Sequence, residues 1–247
     1  MDAALQAALW GGAAGAALLL GAAVGYFVHI PRKVSAWVMA FGVGVLIACL
    51  AFNLIAEAMH VGGIVPSALG FILGAALYAV ANAFLAQQGA KHRKRSQHPE
   101  AGAATASLAI ALGALLDGVP EAAAIGTSLL DGGGVAMVTV LAIFISNIPE
   151  GLSSTVGMKS AGKSGRFIFS IWSGITAACV LSAWLGYAFI GQFGPFYIAI
   201  AVASAAGAIL VMIVDTMIPE AFEEIHTVSG PIAAAGFLLT FVASQTL

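Results

Sequence analysis

The stretch "LLDGVPEAAAIG", residues 115–126, places an aspartate, a proline and a glutamate inside a run that is otherwise almost entirely apolar. A second stretch, "IFISNIPEGLSS" at residues 143–154, repeats the arrangement with Asn147, Pro149 and Glu150. A carboxylate in the middle of an apolar helix is costly, so it marks a functional site by default. Two such stretches in one chain therefore indicate a shared polar site.

The composition around these stretches is that of a membrane protein. Of 247 residues, 61% are hydrophobic and 8% are charged, and the mean hydropathy is +1.02. A soluble domain carries about 25% charged residues. Apolar runs of about 20 residues are typical of membrane helices. The composition predicts an all-α membrane protein that forms one polytopic domain, residues 1–247, surrounded by lipid and without a nucleic-acid partner. The two cysteines, Cys49 and Cys179, show no spacing typical of a disulfide framework or a zinc finger.

Eight apolar segments divide the chain and predict eight transmembrane helices. Their approximate bounds are 5–29, 35–60, 65–87, 104–130, 134–157, 166–191, 196–224 and 230–246. One substantial hydrophilic linker, "QQGAKHRKRSQHPEAG", joins segments three and four and forms a basic loop at about residues 88–103.

The positive charges predict how the segments are oriented. All nine Lys and Arg residues fall in odd-numbered connections: Arg32, Lys33, Lys91, Arg93, Lys94, Arg95, Lys159, Lys163 and Arg166. Connections rich in Lys and Arg stay on the cytoplasmic side of a membrane. The basic loop is therefore predicted to be cytoplasmic, and both termini are predicted to be extracytoplasmic.

Short similar motifs in segments of opposite direction predict an inverted repeat. "DGVPEA" in segment four runs outward and "SNIPEG" in segment five runs inward; "NLIAEA" in segment two and "TMIPEA" in segment seven form a second such pair. Transporters place their substrate sites at the interface of inverted repeats.

The two central motifs also have the chemistry of a metal site. Asp117 and Glu121 are four residues apart, which places them on one helix face. Ser146, Asn147 and Glu150 cluster in the same way on segment five. Each Glu follows a proline, which kinks a helix and frees a backbone carbonyl. Two kinked central helices with these oxygens predict a divalent-cation site near mid-membrane. The alternative is a structural network of hydrogen-bonded or protonated acids.

Two further clusters predict a path for the ion. Glu57 and His60 lie at the outer end of segment two, where an ion would enter. Asp215, Glu220 and Glu224 lie along the inner part of segment seven, where it would leave. Solvated helix ends are the alternative interpretation of both clusters.

These residues resemble the ZIP (zinc/iron permease) family of divalent metal transporters, and the resemblance covers nearly the whole chain. The family's signatures are His-Asn-x-Pro-Glu-Gly in helix four and a related Pro-Glu-Gly in helix five. Here they stand as Asp117 to Ala122 and Ser146 to Gly151. The resemblance implies that Glu121 and Glu150 bind metal, that Asp117 takes the place of a metal-binding His, and that Asn147 is a ligand.

The resemblance further implies that the helices form a ZIP-like bundle. It also implies that the protein is a divergent member of prokaryotic type and lies in the plasma (inner) membrane. It also implies a homodimer and an alternation of helix bundles. Gly118 replaces an Asn that can bridge a second metal in the family, which favours one bound ion.

The sequence therefore predicts a transporter that moves a divalent metal (zinc, iron or manganese) into the cytoplasm as its substrate, with no permanently bound cofactor. The alternative is a proton-coupled carrier of another substrate that uses the same acids as protonation sites. An enzyme is not expected, because the chain lacks the His-Glu-x-x-His motif of zinc peptidases. A scaffold without transport activity would not need acids at three depths.

Overall fold

The computed structural model describes residues 2–87, 103–130 and 137–246, and every regular element within these ranges is helical. The predicted all-α class is confirmed. The basic loop that was predicted at about 88–103, with His92 and His98, lies almost entirely outside the described residues. The α-helices are α1 (Ala3–Phe27), α2 (Arg32–Cys49), α3 (Ile55–Gly62), α4 (Ile64–Leu85), α5 (Ala103–Thr127), α6 (Met137–Ser160), α7 (Gly165–Ala188), α8 (Pro195–Met212), α9 (Ile218–Ile225) and α10 (Ser229–Thr246).

Six helical stretches within the described ranges are long and apolar enough to cross a membrane. One of them, Pro195–Thr246, contains both predicted segments seven and eight. The fourth predicted segment corresponds to α5, which is not among the six. These stretches support an integral membrane protein, and the number of eight spans stays a prediction.

Two long helical segments share an interruption that the sequence did not predict. A π-helical turn, Leu50–Leu54, joins α2 to α3, and a second one, Ile213–Met217, joins α8 to α9. Both segments consist of 18 α-helical residues, 5 residues of π-helix and 8 further α-helical residues. In this common register Glu57 and Glu220 occupy equivalent positions. The equal lengths are consistent with an internal repeat of these segments.

The two prolines of the central motifs do not interrupt their helices. Pro120 lies inside α5 and Pro149 lies inside α6, and both helices continue past the proline. Sequence analysis expected the irregular backbone at these prolines, whereas the π-helical turns lie in α2–α3 and α8–α9. Such turns occur frequently at functional sites, because they change the face on which the following residues lie.

The helices pack in two groups that meet at the centre of the bundle. In the first group α1 packs against α6 and α7, and α5 packs mainly against α7. In the second group α4 packs against α8, α10 packs against α2, and α3 and α9 complete the contacts. The groups meet where α2 contacts α6 and where α5 contacts α8. Both central motifs, on α5 and α6, therefore lie on helices that adjoin this junction.

Reciprocal glycines bring several pairs of helices into backbone contact. A Cβ atom at Gly74 of α4 would lie 1.9 Å from the Ser204 carbonyl oxygen of α8, and one at Gly207 of α8 would lie 2.1 Å from the Phe71 oxygen of α4. The same reciprocity joins α2 to α10 and α1 to α6. The glycines of these two pairs are Gly44, Gly236, Gly21 and Gly151. Small residues allow membrane helices to approach closely. In lipid the hydrophobic effect does not drive helices together, so dispersion and polar contacts hold them at this distance.

We predict that Gly74→Ala separates α4 from α8, because the added methyl group meets backbone that cannot rotate away. Overpacking of this kind costs about 1–3 kcal/mol, which corresponds to a fall of roughly 2–10 °C in the thermal midpoint of the purified protein. Gly174→Ala is the matched control, because nothing lies within 4 Å of a Cβ atom there. The control is expected to keep or raise the midpoint, since Ala favours helix over Gly by about 1 kcal/mol. Equal midpoints for the two variants would contradict the close packing.

Candidate metal site

The predicted central residues are among the most buried polar groups of the described chain. Their side chains on α5 and α6 are at most 2% exposed: Asp117, Glu121, Ser146, Asn147 and Glu150. An ionised carboxylate in such surroundings costs several kcal/mol unless hydrogen bonds or an opposite charge compensate it. The contacts of these five side chains therefore decide what the site can do.

The amide of Asn147 has a defined orientation. Its Nδ2 donates a hydrogen bond of 2.9 Å to the Ala14 carbonyl oxygen of α1. A carbonyl oxygen can only accept, so this bond fixes Nδ2 on that side and Oδ1 on the other. Within the described ranges Oδ1 is buried and accepts no hydrogen bond. Asn147 thus presents a buried neutral oxygen of the kind that binds hard divalent cations.

Asp117 has a partner that sequence analysis missed. The Tyr78 hydroxyl of α4 donates a hydrogen bond to Asp117 Oδ1, and the Tyr78 side chain is 2% exposed. Tyr78 and Asn82 are four residues apart in an otherwise apolar segment. That spacing places both side chains on one face of the helix. It could have indicated from the sequence that α4 makes polar contacts with its neighbours.

Glu121 and Glu150 lie in the neighbourhood of the same side chain of α7, within range of an electrostatic interaction with the Cys179 thiol. The same thiol contacts the Gly118 carbonyl oxygen at 3.7 Å, and Gly118 leaves room for it because a Cβ there would lie 3.1 Å from the sulfur. The structure therefore brings the two Pro-Glu motifs to the same part of α7.

The central acids do not form one compact group. Nowhere in the described ranges do three His, Cys, Asp or Glu side chains form a group that could hold a metal. Ser146 Oγ donates to the Ile143 carbonyl oxygen of its own helix at 2.9 Å. Binding of a metal by all the predicted ligands would therefore require side chains to move.

The predicted exit residues Glu220 and Glu224 line a common cavity of about 40 Å³ at one end of the bundle. Ser153 of α6 donates a hydrogen bond to Glu220 Oε1, which links the two helix groups below Glu150. Arg32 Nη1 lies 4.0 Å from Glu224 Oε1 at the mouth, where both side chains are partly exposed. An exposed pair of this kind contributes little stability, so it is easily separated.

The structure separates Asp215 from the other predicted exit residues. The Asp215 side chain is exposed, and its Oδ2 accepts a hydrogen bond of 3.0 Å from Asn82 Nδ2 of α4. Asp215 lies within the π-helical turn before Glu220, which changes its face relative to a continuous α-helix. The predicted entrance residues lie on α3, where Glu57 is half-buried and His60 is exposed.

Among known proteins, the chain is similar to an Arabidopsis thaliana protein named "Putative zinc transporter", with 27% identity over 239 residues. The alignment covers 94% of this chain and 37% of the plant protein, so the chain spans less than two fifths of that relative's length. No protein-family model matches the chain. Membership of the ZIP family stays a prediction.

The predicted topology can be tested by labelling introduced cysteines, one of them in the cavity. The native cysteines are 2% exposed, so a thiol introduced at an accessible position reports on that position. Ser35 lines the cavity, and Ser35→Cys is expected to react with a membrane-impermeant maleimide only from the cytoplasmic side. Gln192→Cys, in the exposed connection between α7 and α8, is expected to react only from outside. The reverse pattern would overturn the orientation.

Proposed function

We propose that this protein is a membrane transporter that carries divalent metal cations into the cytoplasm through a site between α5 and α6. The observation that carries the proposal is the burial of Asp117, Glu121, Asn147 and Glu150 in the middle of two apolar helices. Asn147 Oδ1 accepts no hydrogen bond from the described residues. Side chains that serve only packing would not concentrate this much negative charge at one depth.

The negative charge of the site favours a divalent cargo. Glu121 and Glu150 supply two negative charges, Asp117 supplies a third carboxyl group, and Asn147 adds a neutral oxygen. Carboxylate and amide oxygens are the ligands that harder divalent ions prefer. The attraction between the acids and the ion offsets the cost of desolvating both of them in a low-dielectric site.

The similarity to the plant protein supports a metal as the cargo. The name of that relative refers to zinc transport, and the aligned region includes nearly all of this chain. Zinc is therefore one expected substrate of this site, and manganese and ferrous iron are others that an oxygen-rich shell accepts. A homodimer and the plasma membrane of a prokaryote remain part of the proposal.

The path of the ion follows from the positions of the remaining acids. Glu57 and His60 would collect the cation at the outer end of α3. From Glu121 and Glu150 the ion would pass Ser153 and Glu220 into the inner cavity, whose acids attract a cation. The direction of transport rests on the Lys and Arg distribution, which assigns this cavity to the cytoplasm.

The first test removes one charge at a time from the centre. Glu121→Gln and Glu150→Gln are each expected to lower zinc and manganese uptake into proteoliposomes at least tenfold, because the loss of one carboxylate weakens the attraction for the dication and removes a ligand. Asp2→Asn, at the exposed start of α1, is the charge-matched control and is expected to transport as the wild type does. Wild-type uptake by both Gln variants would place the site elsewhere.

The second test concerns ion choice and Asp117. A carboxylate at this position is a harder ligand than an imidazole, so Asp117→His is expected to raise the ratio of zinc to manganese uptake several-fold. Both ions are measured in the same vesicle preparation, so that differences in protein insertion cancel. An unchanged ratio would show that residue 117 does not contact the ion.

A further inference from the structure

Tyr78 joins the two helix groups at the candidate site. Its hydroxyl donates to Asp117 Oδ1, and both side chains are at most 2% exposed. Tyr78 lies on α4, which packs mainly on α8, whereas Asp117 lies on α5, which packs mainly on α7. The hydrogen bond therefore crosses the junction between the two groups of helices.

The position of α4 is set by the second helix group. Gly74 and Gly207 bring α4 and α8 into backbone contact, and the Ser204 hydroxyl donates to the Gly70 carbonyl oxygen at 3.0 Å. One turn after Tyr78, Asn82 binds Asp215 at 3.0 Å, in the π-helical turn that follows α8. These contacts fix Tyr78 to α8, so the phenol moves with that group.

The position of Asp117 is set by the first group. The two residues that follow it hold α5 to α7: the Cys179 thiol contacts the Gly118 oxygen at 3.7 Å, and Ser182 Oγ donates to the Val119 oxygen at 2.8 Å. Gly126 brings the same two helices together, because a Cβ there would lie 2.0 Å from the Ala183 oxygen. The Tyr78–Asp117 bond thus reports the relative position of the two groups.

A phenol that donates to a buried carboxylate fixes the rotation of the carboxyl group. With Oδ1 held by Tyr78, the direction of Oδ2 is determined. Outer hydrogen-bond partners of this kind orient metal-binding carboxylates, and their loss weakens metal binding by about 10- to 100-fold.

We infer that Tyr78 is a positioning residue that sets the metal affinity of Asp117 and makes it depend on the contact between α4 and α5. This inference rests on the proposed function. While the contact persists, the Asp117 carboxyl group is oriented for the ion. When α5 shifts relative to α4, the carboxyl group loses its donor and the affinity for the ion falls. Release of the cargo is then coupled to the relative movement of the two helix groups.

The experiment compares Tyr78→Phe with the wild type in Mn²⁺ binding and Mn²⁺ uptake. Phe keeps the buried ring and removes only the hydroxyl. The dissociation constant, from Mn²⁺-dependent thermal stabilisation of purified protein, and the KM for uptake are each expected to rise about 10- to 100-fold. The maximal uptake rate is expected to stay within about twofold, because the ligands themselves are intact. Tyr197→Phe is the matched control, since its side chain is 60% exposed at the start of α8.

A double-mutant cycle with Asp117→Ala identifies the route of the effect, because Ala removes the acceptor of the Tyr78 hydrogen bond. If Tyr78 acts through Asp117, adding Tyr78→Phe to Asp117→Ala leaves the dissociation constant unchanged. A lower metal-free thermal midpoint in Tyr78→Phe with an unchanged dissociation constant and KM would overturn the inference and leave Tyr78 a packing residue. Tighter Mn²⁺ binding in Tyr78→Phe would also overturn it.

The two proposals fail in different ways. If neither Mn²⁺ nor Zn²⁺ stabilises the wild-type protein or is taken up by vesicles, the proposed function fails and the inference falls with it. If the wild type binds and transports these ions while Tyr78→Phe matches it in dissociation constant and KM, the proposed function stands and the role of Tyr78 does not.

Discussion

The structure depends on the cost of placing carboxylates in a medium that cannot solvate them. Each buried acid of the central helices must be compensated by donors or by a cation. The protein supplies some donors itself, since Tyr78 donates to Asp117 and Ser153 donates to Glu220. In each bond the donor and the acid lie on helices of different groups. The compensation of the acids' charge therefore depends on how the two groups pack against each other.

Close packing of the helices places the donors next to the acids whose charge they compensate. Reciprocal glycines hold α1 to α6, α4 to α8 and α2 to α10 at backbone distance. Between the pairs the contacts include short polar side chains. In the proposed transport cycle each pair would move as a unit while the polar bonds between the groups break and form. A transporter needs this division, because the ion must be held in one arrangement and released in another.

Hydropathy was sufficient to predict the helices, because a membrane-spanning helix is defined by the length of its apolar run. The first predicted segment, 5–29, corresponds to α1 at Ala3–Phe27, and the sixth, 166–191, corresponds to Gly165–Gln192. The π-helical turns were missed, because hydropathy depends only on which residues a segment contains. A π-helical turn fits one more residue into a turn of helix and leaves the hydropathy of the segment the same. That omission also explains why Asp215 was grouped with Glu220 and Glu224, since such a turn moves the residues after it to another face.

The burial of the central polar side chains was predictable from the sequence, and their contacts were not. Carboxylates in the middle of a helix are easily recognised in an apolar sequence. All five polar side chains predicted for the central site are buried. The partner of Asp117 lies 39 positions away on another helix, and nothing local in the sequence specifies that pairing. The relation of Asn147 to Ala14, 133 positions apart, is of the same kind.

The most direct test of the central claim is the position of a bound ion. Crystals of the protein grown with Mn²⁺ or Zn²⁺, measured at the absorption edge of the metal, locate the ion by its anomalous scattering. We expect one principal peak between α5 and α6, within about 2.0–2.2 Å of oxygens of Glu121 and Glu150. A peak confined to the cavity at Glu220 and Glu224, or no peak inside the bundle, would contradict a metal site at the centre of the membrane.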